Sequence, residues 1–246
     1  MERRRLDQLL VERGLAESRS RARALIEAGK VLAEHRPAGK PSLIFPEDAA
    51  LEITGLVHPW VSRGGVKLAA ALDRFEIDPM GLIGLDIGAS TGGFTEVLLS
   101  RGAARVYAVD AGHGQLAEKL RRDPRIVSLE KQNARSLARA EIPEPIGILT
   151  CDASFIGLET ILPAPLALAA PGAFLVALIK PQFEAGPGRV GKGGVVRDAA
   201  LQQEICERIA AWLGALPGWQ VLGLIDSPID GGDGNREFLI AGRYTP

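Results

Sequence analysis

The 246-residue chain has few of the residues that build metal centres and disulfide frameworks. It contains two cysteines, Cys151 and Cys206, and three histidines, His35, His58 and His113. Two cysteines are too few for a disulfide framework, and neither stands with a histidine at the spacing of a metal site. We therefore expect no metal site.

The sequence also lacks a leader with an apolar centre and an unbroken membrane-spanning run. The basic N-terminus has no apolar stretch like that of a signal peptide. Residues 161–179 carry no charge and have about the length of a membrane span. Prolines at positions 163, 165 and 171 interrupt them, and proline breaks a helix. The run predicts a helix start, a turn and a buried strand, and we expect a cytoplasmic protein with no membrane partner.

Charge is nearly balanced overall but unevenly distributed. The net charge is −1, whereas residues 1–40 hold ten Lys and Arg against six Asp and Glu. Hydrophobic residues make up 46% of the chain and charged residues 24%, as in an ordinary globular protein. A basic N-terminal segment followed by an acidic remainder indicates contact with nucleic acid near the N-terminus.

The first 57 residues have the pattern of a small α+β domain. Apolar residues at helical spacing predict a helix over residues 3–13 that ends at Gly14. A second helix is predicted between Ser18, which suits an N-cap, and Gly29. Short β-type segments follow, with Pro- and Gly-rich turns between them.

This N-terminal segment resembles a known RNA-binding domain. The order Arg-Leu-Asp-x-Leu-Leu-Val-Glu-Arg-Gly-Leu-Ala-x-Ser-Arg, then Ala-x-x-Leu-Ile and Gly-Lys-Val, is similar to the S4-like domain over about fifty residues. The resemblance implies that the second helix and the following loop bind structured RNA. The expected RNA contacts are Arg4, Arg19, Arg21, Arg23, Lys30 and, beyond the domain, Arg63. Taken alone, an Arg-rich helix face is equally compatible with a solvated surface.

A strand, a glycine-rich turn and a helix are predicted around Leu85-Asp86-Ile87-Gly88-Ala89-Ser90-Thr91-Gly92-Gly93-Phe94. In an open α/β sheet the ligand binds just past the carboxyl end of such a strand. Asp110 ends the next apolar strand, 22 residues after Gly88, and an acid there suits a ribose hydroxyl.

The turn departs from the dinucleotide fingerprint G-x-G-x-x-G. Ser90 replaces the second glycine, no basic residue lies in the turn to meet phosphate, and Asp86 precedes it. This pattern favours an electropositive nucleoside without phosphate, such as S-adenosylmethionine. The alternative is a turn that only packs a helix on a sheet.

Alternating strands and helices continue to the end of the chain. Strands are predicted at residues 82–87, 106–109, 126–129, 146–152, 174–179, 221–225 and 237–241. Seven strands with interleaved helices predict a doubly wound α/β sheet over residues 67–246, after a linker at 58–66. The loop 184–197 has five glycines and the basic residues Arg189, Lys192 and Arg197. We expect it to become ordered only on RNA.

Four charged residues stand at strand ends or near the start of the second domain: Lys67, Asp152, Lys180 and Glu237. In order and context they resemble the Lys-Asp-Lys-Glu tetrad of ribose 2′-O-methyltransferases of the FtsJ/RrmJ type. Three further segments carry the same resemblance: Ser-Arg-Gly-Gly-x-Lys-Leu, Leu-Ile-Lys-Pro-Gln-Phe-Glu and Gly-Asn-Arg-Glu-Phe-Leu. With the S4-like head, nearly the whole chain resembles the TlyA family of ribosomal-RNA cytidine 2′-O-methyltransferases, often labelled haemolysins.

The resemblance implies a Rossmann-like seven-strand methyltransferase sheet whose last strand is antiparallel. It also implies S-adenosylmethionine as the methyl donor and ribosomal RNA in ribosomal subunits as the partner, with 23S RNA as the target and 16S RNA as an open second target. Lys180 would lie beside the attacking hydroxyl, Asp152 and Glu237 would position the lysines, and Lys67 would place the target ribose or phosphate. The implied donor contacts are Asp86, Gly88, Ala89, Ser90, Thr91, Gly92, Asp110, Asn133 and Asp152. Phe155 and Phe183 are candidates for stacking on a flipped base, with packing in the core as the alternative for at least one of them.

Two alternatives remain open on the sequence. Asp152-Ala153-Ser154-Phe155 is faintly similar to the Asp/Asn-Pro-Pro-Tyr/Phe element of base N-methyltransferases, although both prolines are absent. An RNA-binding protein or haemolysin without methyltransferase activity is the second alternative, and it would leave four tetrad residues without a use. Nothing in the sequence indicates the oligomeric state.

Overall fold

The structure is a computed structural model that describes residues 3–16, 18–54, 58–186, 188–191, 193–231 and 234–246. The chain separates into two compact units, residues 1–59 and residues 60–246. Each unit has its own apolar core.

Among its described residues, the small unit contains two helices and five short strands. They are β1 (Arg3–Arg5), α1 (Leu6–Glu12), α2 (Arg19–Glu27), β2 (Val31–Ala33), β3 (Arg36–Pro37), β4 (Ile44–Pro46) and β5 (Leu51–Ile53). β1 pairs with β4, and β2 lies between β3 and β5, all antiparallel. The apolar faces of both helices close on one core that includes Leu6, Leu10, Leu25 and Ile26.

The helix boundaries in this unit are mostly as predicted. Ser18 Oγ accepts a hydrogen bond from the Arg21 backbone N–H at 3.2 Å, so the predicted N-cap is confirmed. Gly14 and Gly29 follow the helices in the left-handed conformation. The start of the first helix was predicted wrongly, because residues 3–5 pair with β4 as strand β1.

The large unit is a seven-stranded sheet with helices packed on it. Its elements are α3 (Gly64–Arg74), β6 (Ile83–Ile87), α4 (Gly93–Ser100), β7 (Arg105–Val109), α5 (Glu118–Arg121), β8 (Ile126–Leu129), a 3-10 turn (Ala134–Ser136), β9 (Ile146–Cys151), α6 (Leu158–Ile161), α7 (Pro163–Leu166), β10 (Ala169–Ile179), α8 (Pro181–Glu184), α9 (Ala199–Ala215), β11 (Trp219–Asp226) and β12 (Phe238–Tyr244).

The strand order is β11-β12-β10-β9-β6-β7-β8. β12 is antiparallel to both of its neighbours, while β10, β9, β6, β7 and β8 are mutually parallel. The predicted α/β class, the seven strands and the antiparallel last strand are confirmed. Apolar side chains fill both faces of the sheet and form two separate clusters.

Several boundaries differ from the prediction. The first helix of this unit begins at Gly64 rather than at Lys67, so part of the predicted linker is helical. β10 begins at Ala169, because the segment with Pro171 and Gly172 forms an irregular start of the strand, with a register shift before Phe174. The predicted breaks in the uncharged run 161–179 are present. No helix among the described residues is long and apolar enough to cross a membrane.

The topology brings the ends of several strands to one edge of the sheet. β6, β9 and β10 are parallel neighbours, so the residues that follow them, including Asp152 and Lys180, leave at the same edge. β12 runs the other way and begins there, directly after Glu237. Asp152, Lys180 and Glu237 therefore lie at one edge of the sheet.

Candidate active site

The turn after β6 packs tightly against the loop that follows β9. Gly88 has φ +78°, and a Cβ there would lie 2.9 Å from Ala153 Cα, which is backbone and cannot swing away. The N–H groups of Gly88 and Ala89 donate to the Val109 carbonyl at 2.9 and 3.1 Å. The turn is thereby fixed between two strand ends.

A cavity of about 620 Å³ opens beside this turn. At one wall, Asp110 accepts hydrogen bonds from the backbone N–H of Ser90 at 2.7 Å and of Gly112 at 2.6 Å. Asn133 also lines the cavity, and its side-chain oxygen accepts from the Arg135 N–H at 3.1 Å. Other lining residues include Ile87, Val109, Gln115, Lys131, Arg135, Asp152, Ser154, Phe155, Ile156 and Ile161.

A second cavity, of about 170 Å³, adjoins the first. The two cavities share Gly88, Ser90, Asp152 and Ser154 as lining residues. The smaller one is further lined by Ser62, Gly64, Ala89, Thr91, Gly93, Phe94 and Lys180. Lys180 thus lines the smaller cavity, which it shares with Asp152 and Ser154.

Oxygen atoms surround the Lys180 amine. Lys180 Nζ forms an ion pair with Asp152 Oδ1 at 2.7 Å and donates to the Asp152 carbonyl at 3.2 Å and to Ser154 Oγ at 3.0 Å. The lysine is buried, at 8% exposure, and Asp152 is partly exposed. Asp152 lines both cavities, whereas Lys180 lines the smaller one.

Lys67 and Glu237 form a second ion pair, which is buried. α3 places it close to the first pair, because a Cβ at Gly64, three residues before Lys67, would lie 3.3 Å from Asp152 Oδ2. The four predicted residues are thus arranged as two lysine–carboxylate pairs at one sheet edge. Only the pair of Lys180 and Asp152 lines the cavities described here.

Not every residue expected to contact a donor faces a cavity. Gly92 lies in the left-handed conformation against Leu116, where a Cβ would come within 2.8 Å of that side chain. Asp86 is fully buried, and its carboxylate accepts hydrogen bonds from the hydroxyls of Thr95 at 2.6 Å and Thr150 at 3.0 Å. Asp86 therefore ties β6 to α4 and β9, rather than exposing its carboxylate to the cavity.

Burial raises the pKa of Asp86 to about 6, although the two threonine hydroxyls oppose the shift. The folded chain then holds this proton more tightly than the unfolded chain. The stability that the group contributes is fully present below the unfolded pKa of about 4 and is lost as the pH rises through about 6.

Replacing Asp86 by asparagine is expected to remove that pH dependence. Relative to the parent protein, the variant should gain about 1.4 kcal/mol of unfolding free energy between pH 5 and pH 8. Urea denaturation of both proteins at the two pH values measures the difference. Identical pH slopes would show that Asp86 titrates alike in the folded and unfolded chains.

An exposed aromatic ring stands at the rim of the larger cavity. Phe155 is 89% exposed with φ +66°, a conformation that non-glycine residues rarely adopt. Its ring centroid lies 4.9 Å from that of Phe183 in α8. The loop between β9 and α6 thus exposes the Phe155 side chain to solvent, and this ring packs against Phe183.

Glu184, the last residue of α8, contacts the end of this loop at Leu158. Its carboxylate accepts from the Leu158 N–H at 2.7 Å and pairs with Arg208 at 3.2 Å. Burial raises the pKa of Glu184, and the hydrogen bond from Leu158 opposes the shift. Sequence reasoning assigned no use to Glu184 or Ser154, although both lie within segments that it singled out.

The glycine-rich loop 184–197 is anchored at its second half. The Val196 N–H donates to Asn235 Oδ1 at 3.0 Å, and Asn235 Nδ2 donates to the Gly194 carbonyl at 3.0 Å. Arg189 forms a bidentate pair with Glu204. Lys192, one of the three basic residues of this loop, lies outside the described residues.

The predicted RNA contacts of the small unit differ in their surroundings. Arg4 pairs with Glu12 and Glu47. Arg19 pairs with the buried Asp7, whose pKa is lowered because its hydrogen bonds from Arg5 and Arg19 outweigh the cost of burial. Arg21 bonds to the ring and carbonyl of His58.

Arg23 and Lys30 are the remaining predicted contacts of the small unit. Arg23 is exposed on α2, and Lys30 is partly exposed in the turn after it. In the large unit, Arg63 donates to the Asp230 carbonyl at 2.7 Å. Arg19, Arg21 and Arg63 thus have intramolecular partners, which the sequence did not indicate.

No group of three or more His, Cys, Asp and Glu side chains suited to a metal ion occurs among the described residues. Both cysteines are buried and unpaired. Burial raises the pKa of Cys151 to about 12 and that of Cys206 to about 11. Neither thiol is therefore activated as a nucleophile.

Family models and known proteins match both units. Residues 60–244 match the FtsJ-like methyltransferase model, and residues 4–49 match the S4 domain model. The chain is 48% identical to the 16S/23S rRNA (cytidine-2′-O)-methyltransferase TlyA of Mycobacterium tuberculosis (strain ATCC 25618 / H37Rv) over 96% of this chain and 88% of that protein. It is 39% identical to Hemolysin A of Brachyspira hyodysenteriae over 96% of this chain and 98% of that protein.

A solved structure is similar over the full length. It is that of a candidate hemolysin from Streptococcus thermophilus, which is 40% identical, with a TM-score of 0.79 over 100% of this chain and 90% of that one. The sheet, the paired lysines and carboxylates and the matched model define a methyltransferase of the FtsJ-like class, joined to an S4 domain. Within that class, the chain belongs to the TlyA family.

Proposed function

We propose that the chain transfers a methyl group from S-adenosylmethionine to the ribose 2′-hydroxyl of a cytidine in ribosomal RNA. The observation that carries the proposal is the pair of Lys180 and Asp152 at the junction of the two cavities. A relative of 48% identity is named a 16S/23S rRNA (cytidine-2′-O)-methyltransferase. For this chain we propose 23S RNA as the target, with 16S RNA open, and accordingly a cytoplasmic site of action.

The larger cavity fits the methyl donor. Its volume of about 620 Å³ lies in the usual range for small-molecule sites. Asp110 offers a carboxylate for ribose hydroxyls, Ile156 and Ile161 offer apolar walls for a base, and Asn133 offers an amide. Gly88, Ala89, Ser90 and Thr91 would surround the methionine part, and Asp152 would lie near the methyl. The donor supplies a methyl group already activated on a sulfonium sulfur.

The chain's own residues would place the acceptor hydroxyl and remove its proton. A ribose hydroxyl is a weak nucleophile, so it must lose its proton as it attacks. Lys180 lies at the junction where that hydroxyl would meet the methyl, and Asp152 fixes its amine. The pair of Lys67 and Glu237 would hold the start of α3 and of β12 around the acceptor. Much of the rate enhancement would come from in-line placement.

The small unit and the exposed aromatic ring would bind the RNA. The S4 match covers α1 and α2, whose basic side chains would contact phosphates. Phe155, at the cavity rim, would stack on a base turned out of its helix, with Phe183 behind it. A base N-methyltransferase is less well supported, because its chemistry gives no use to Lys180.

Removing one accessible positive charge from the small unit is expected to weaken RNA binding without abolishing it. Arg23→Ala and Lys30→Ala should each lower affinity a few-fold at moderate salt and reduce the salt slope of binding by about 1. Filter binding to unmodified ribosomal subunits across a salt series measures both quantities. Arg101→Ala is the matched control. It removes an arginine at the end of α4 that is paired with Asp73 of α3. Unchanged slopes for both variants would contradict the proposed contacts.

A transfer assay tests the proposed function as a whole. Purified protein is incubated with tritiated S-adenosylmethionine and with separate large and small subunits from cells that lack the modification. We expect label to enter the ribosomal RNA of the large subunit. Donor binding without transfer to either subunit would contradict the proposal.

A further inference from the structure

Ser154 lies where the two cavities meet. It is not one of the four tetrad residues, and the reaction as described so far gives it no role. It is one of four residues that line both cavities, together with Gly88, Ser90 and Asp152. Its hydroxyl oxygen lies 3.0 Å from Lys180 Nζ. Ser154 is therefore the one hydroxyl-bearing side chain on that shared wall that contacts the Lys180 amine, among the residues that the structure describes.

The three oxygens around Lys180 Nζ are not chemically equivalent. A carboxylate oxygen and a backbone carbonyl of Asp152 only accept hydrogen bonds, whereas a serine hydroxyl accepts one and donates one. A group that does both can connect the amine to a further polar atom in the cavity. Of the three partners, only Ser154 has this property.

We propose that Ser154 is a further catalytic residue, whose hydroxyl connects the attacking ribose oxygen to Lys180. The inference rests on the proposed function. In the reactive arrangement Lys180 is a neutral amine, the ribose O2′–H donates to Ser154 Oγ, and the Ser154 hydroxyl donates to Lys180 Nζ.

The step balances without a further reactant. A lone pair on O2′ forms the bond to the methyl carbon, and the carbon–sulfur bond breaks with its electron pair going to sulfur. The O2′ proton passes to Ser154 Oγ as the serine proton passes to Lys180 Nζ. The products are a ribose methyl ether, a neutral thioether, an unchanged serine and a lysine ammonium.

Ser154→Ala tests this role. We expect kcat for methyl transfer to large subunits to fall about 100-fold, with KM for the RNA and Kd for S-adenosylhomocysteine within about 2-fold of the parent values. Ser154→Thr retains a hydroxyl and should recover part of the loss. Ser100→Ala, which removes a hydroxyl bonded to the Val97 carbonyl in α4, is the matched control and should leave kcat unchanged.

A double variant separates a connected proton path from a structural effect. If the serine acts through Lys180, adding Ser154→Ala to Lys180→Ala should cause no further loss of kcat, because residues that act as one unit are not additive. Independent losses that multiply, or a Ser154→Ala protein with parental kcat, would overturn the role of Ser154. A parent protein that transfers no methyl group would contradict the proposed function itself and this role with it.

Discussion

Lys180→Ala is expected to reduce kcat for methyl transfer by about 10²- to 10⁴-fold, the usual contribution of general acid–base catalysis. The lysine lies on the wall of the smaller cavity, and its amine is held by Asp152 and Ser154. It is not among the residues that line the larger cavity. Donor affinity should therefore change by less than about 5-fold, a free-energy difference of roughly 1 kcal/mol.

Two measurements separate chemistry from binding in that variant. Single-turnover methyl transfer with saturating donor gives the rate of the chemical step, and calorimetry with S-adenosylhomocysteine gives the affinity. Lys119→Ala removes an exposed lysine that is also paired with a carboxylate, that of Glu96, and serves as the control. A Lys180→Ala protein that methylates at the parental rate would show that the lysine takes no part in the reaction.

Lys67→Met is expected to destabilise the large unit by about 3–5 kcal/mol, because it leaves a buried carboxylate without its partner. The side chains of Lys67 and Glu237 are 8% and 4% exposed, so water cannot replace the lost ammonium. For a unit of this size the loss corresponds to a decrease in Tm of roughly 10 °C. Thermal and urea unfolding of the variant measure it.

The second substitution decides whether the pair itself stabilises the fold. Lys67→Met with Glu237→Leu removes both charges, and replacing a buried pair by apolar groups is often neutral or stabilising. We expect the double variant to recover most of the unfolding free energy. A double variant as unstable as the single one would mean that the packing of Lys67, rather than its charge, is what the fold requires.

The strand ends were the most predictable part of the large unit. The pattern of apolar residues and the amino-acid composition located all seven strands to within a few residues. Buried parallel strands are short apolar runs between turn residues, so such a pattern reveals them. The main error in the sheet, the early start of β10, arose at Pro171 and Gly172. There the irregular pairing between Ala169 and Phe174 accommodates residues that usually end a strand.

The partners of the charged side chains were less predictable. Strand direction brings Asp152, Lys180 and Glu237 to one edge, and the antiparallel last strand that this requires was implied by the family resemblance. The sequence did not show that Asp86 would be buried between Thr95 and Thr150, or that Arg19 would bind Asp7. These contacts join residues far apart in sequence or on different elements, so no local pattern reports them.

Mapping of the transferred methyl group tests the central claim most directly. Ribosomal RNA labelled by the parent protein from tritiated S-adenosylmethionine is hydrolysed in alkali, which cannot cleave the chain after a 2′-O-methylated ribose because the hydroxyl that attacks the phosphate is blocked. We predict label in an alkali-resistant dinucleotide whose 5′ residue is cytidine. Label released in a mononucleotide whose base carries the methyl group would contradict the assignment of the ribose hydroxyl as the acceptor.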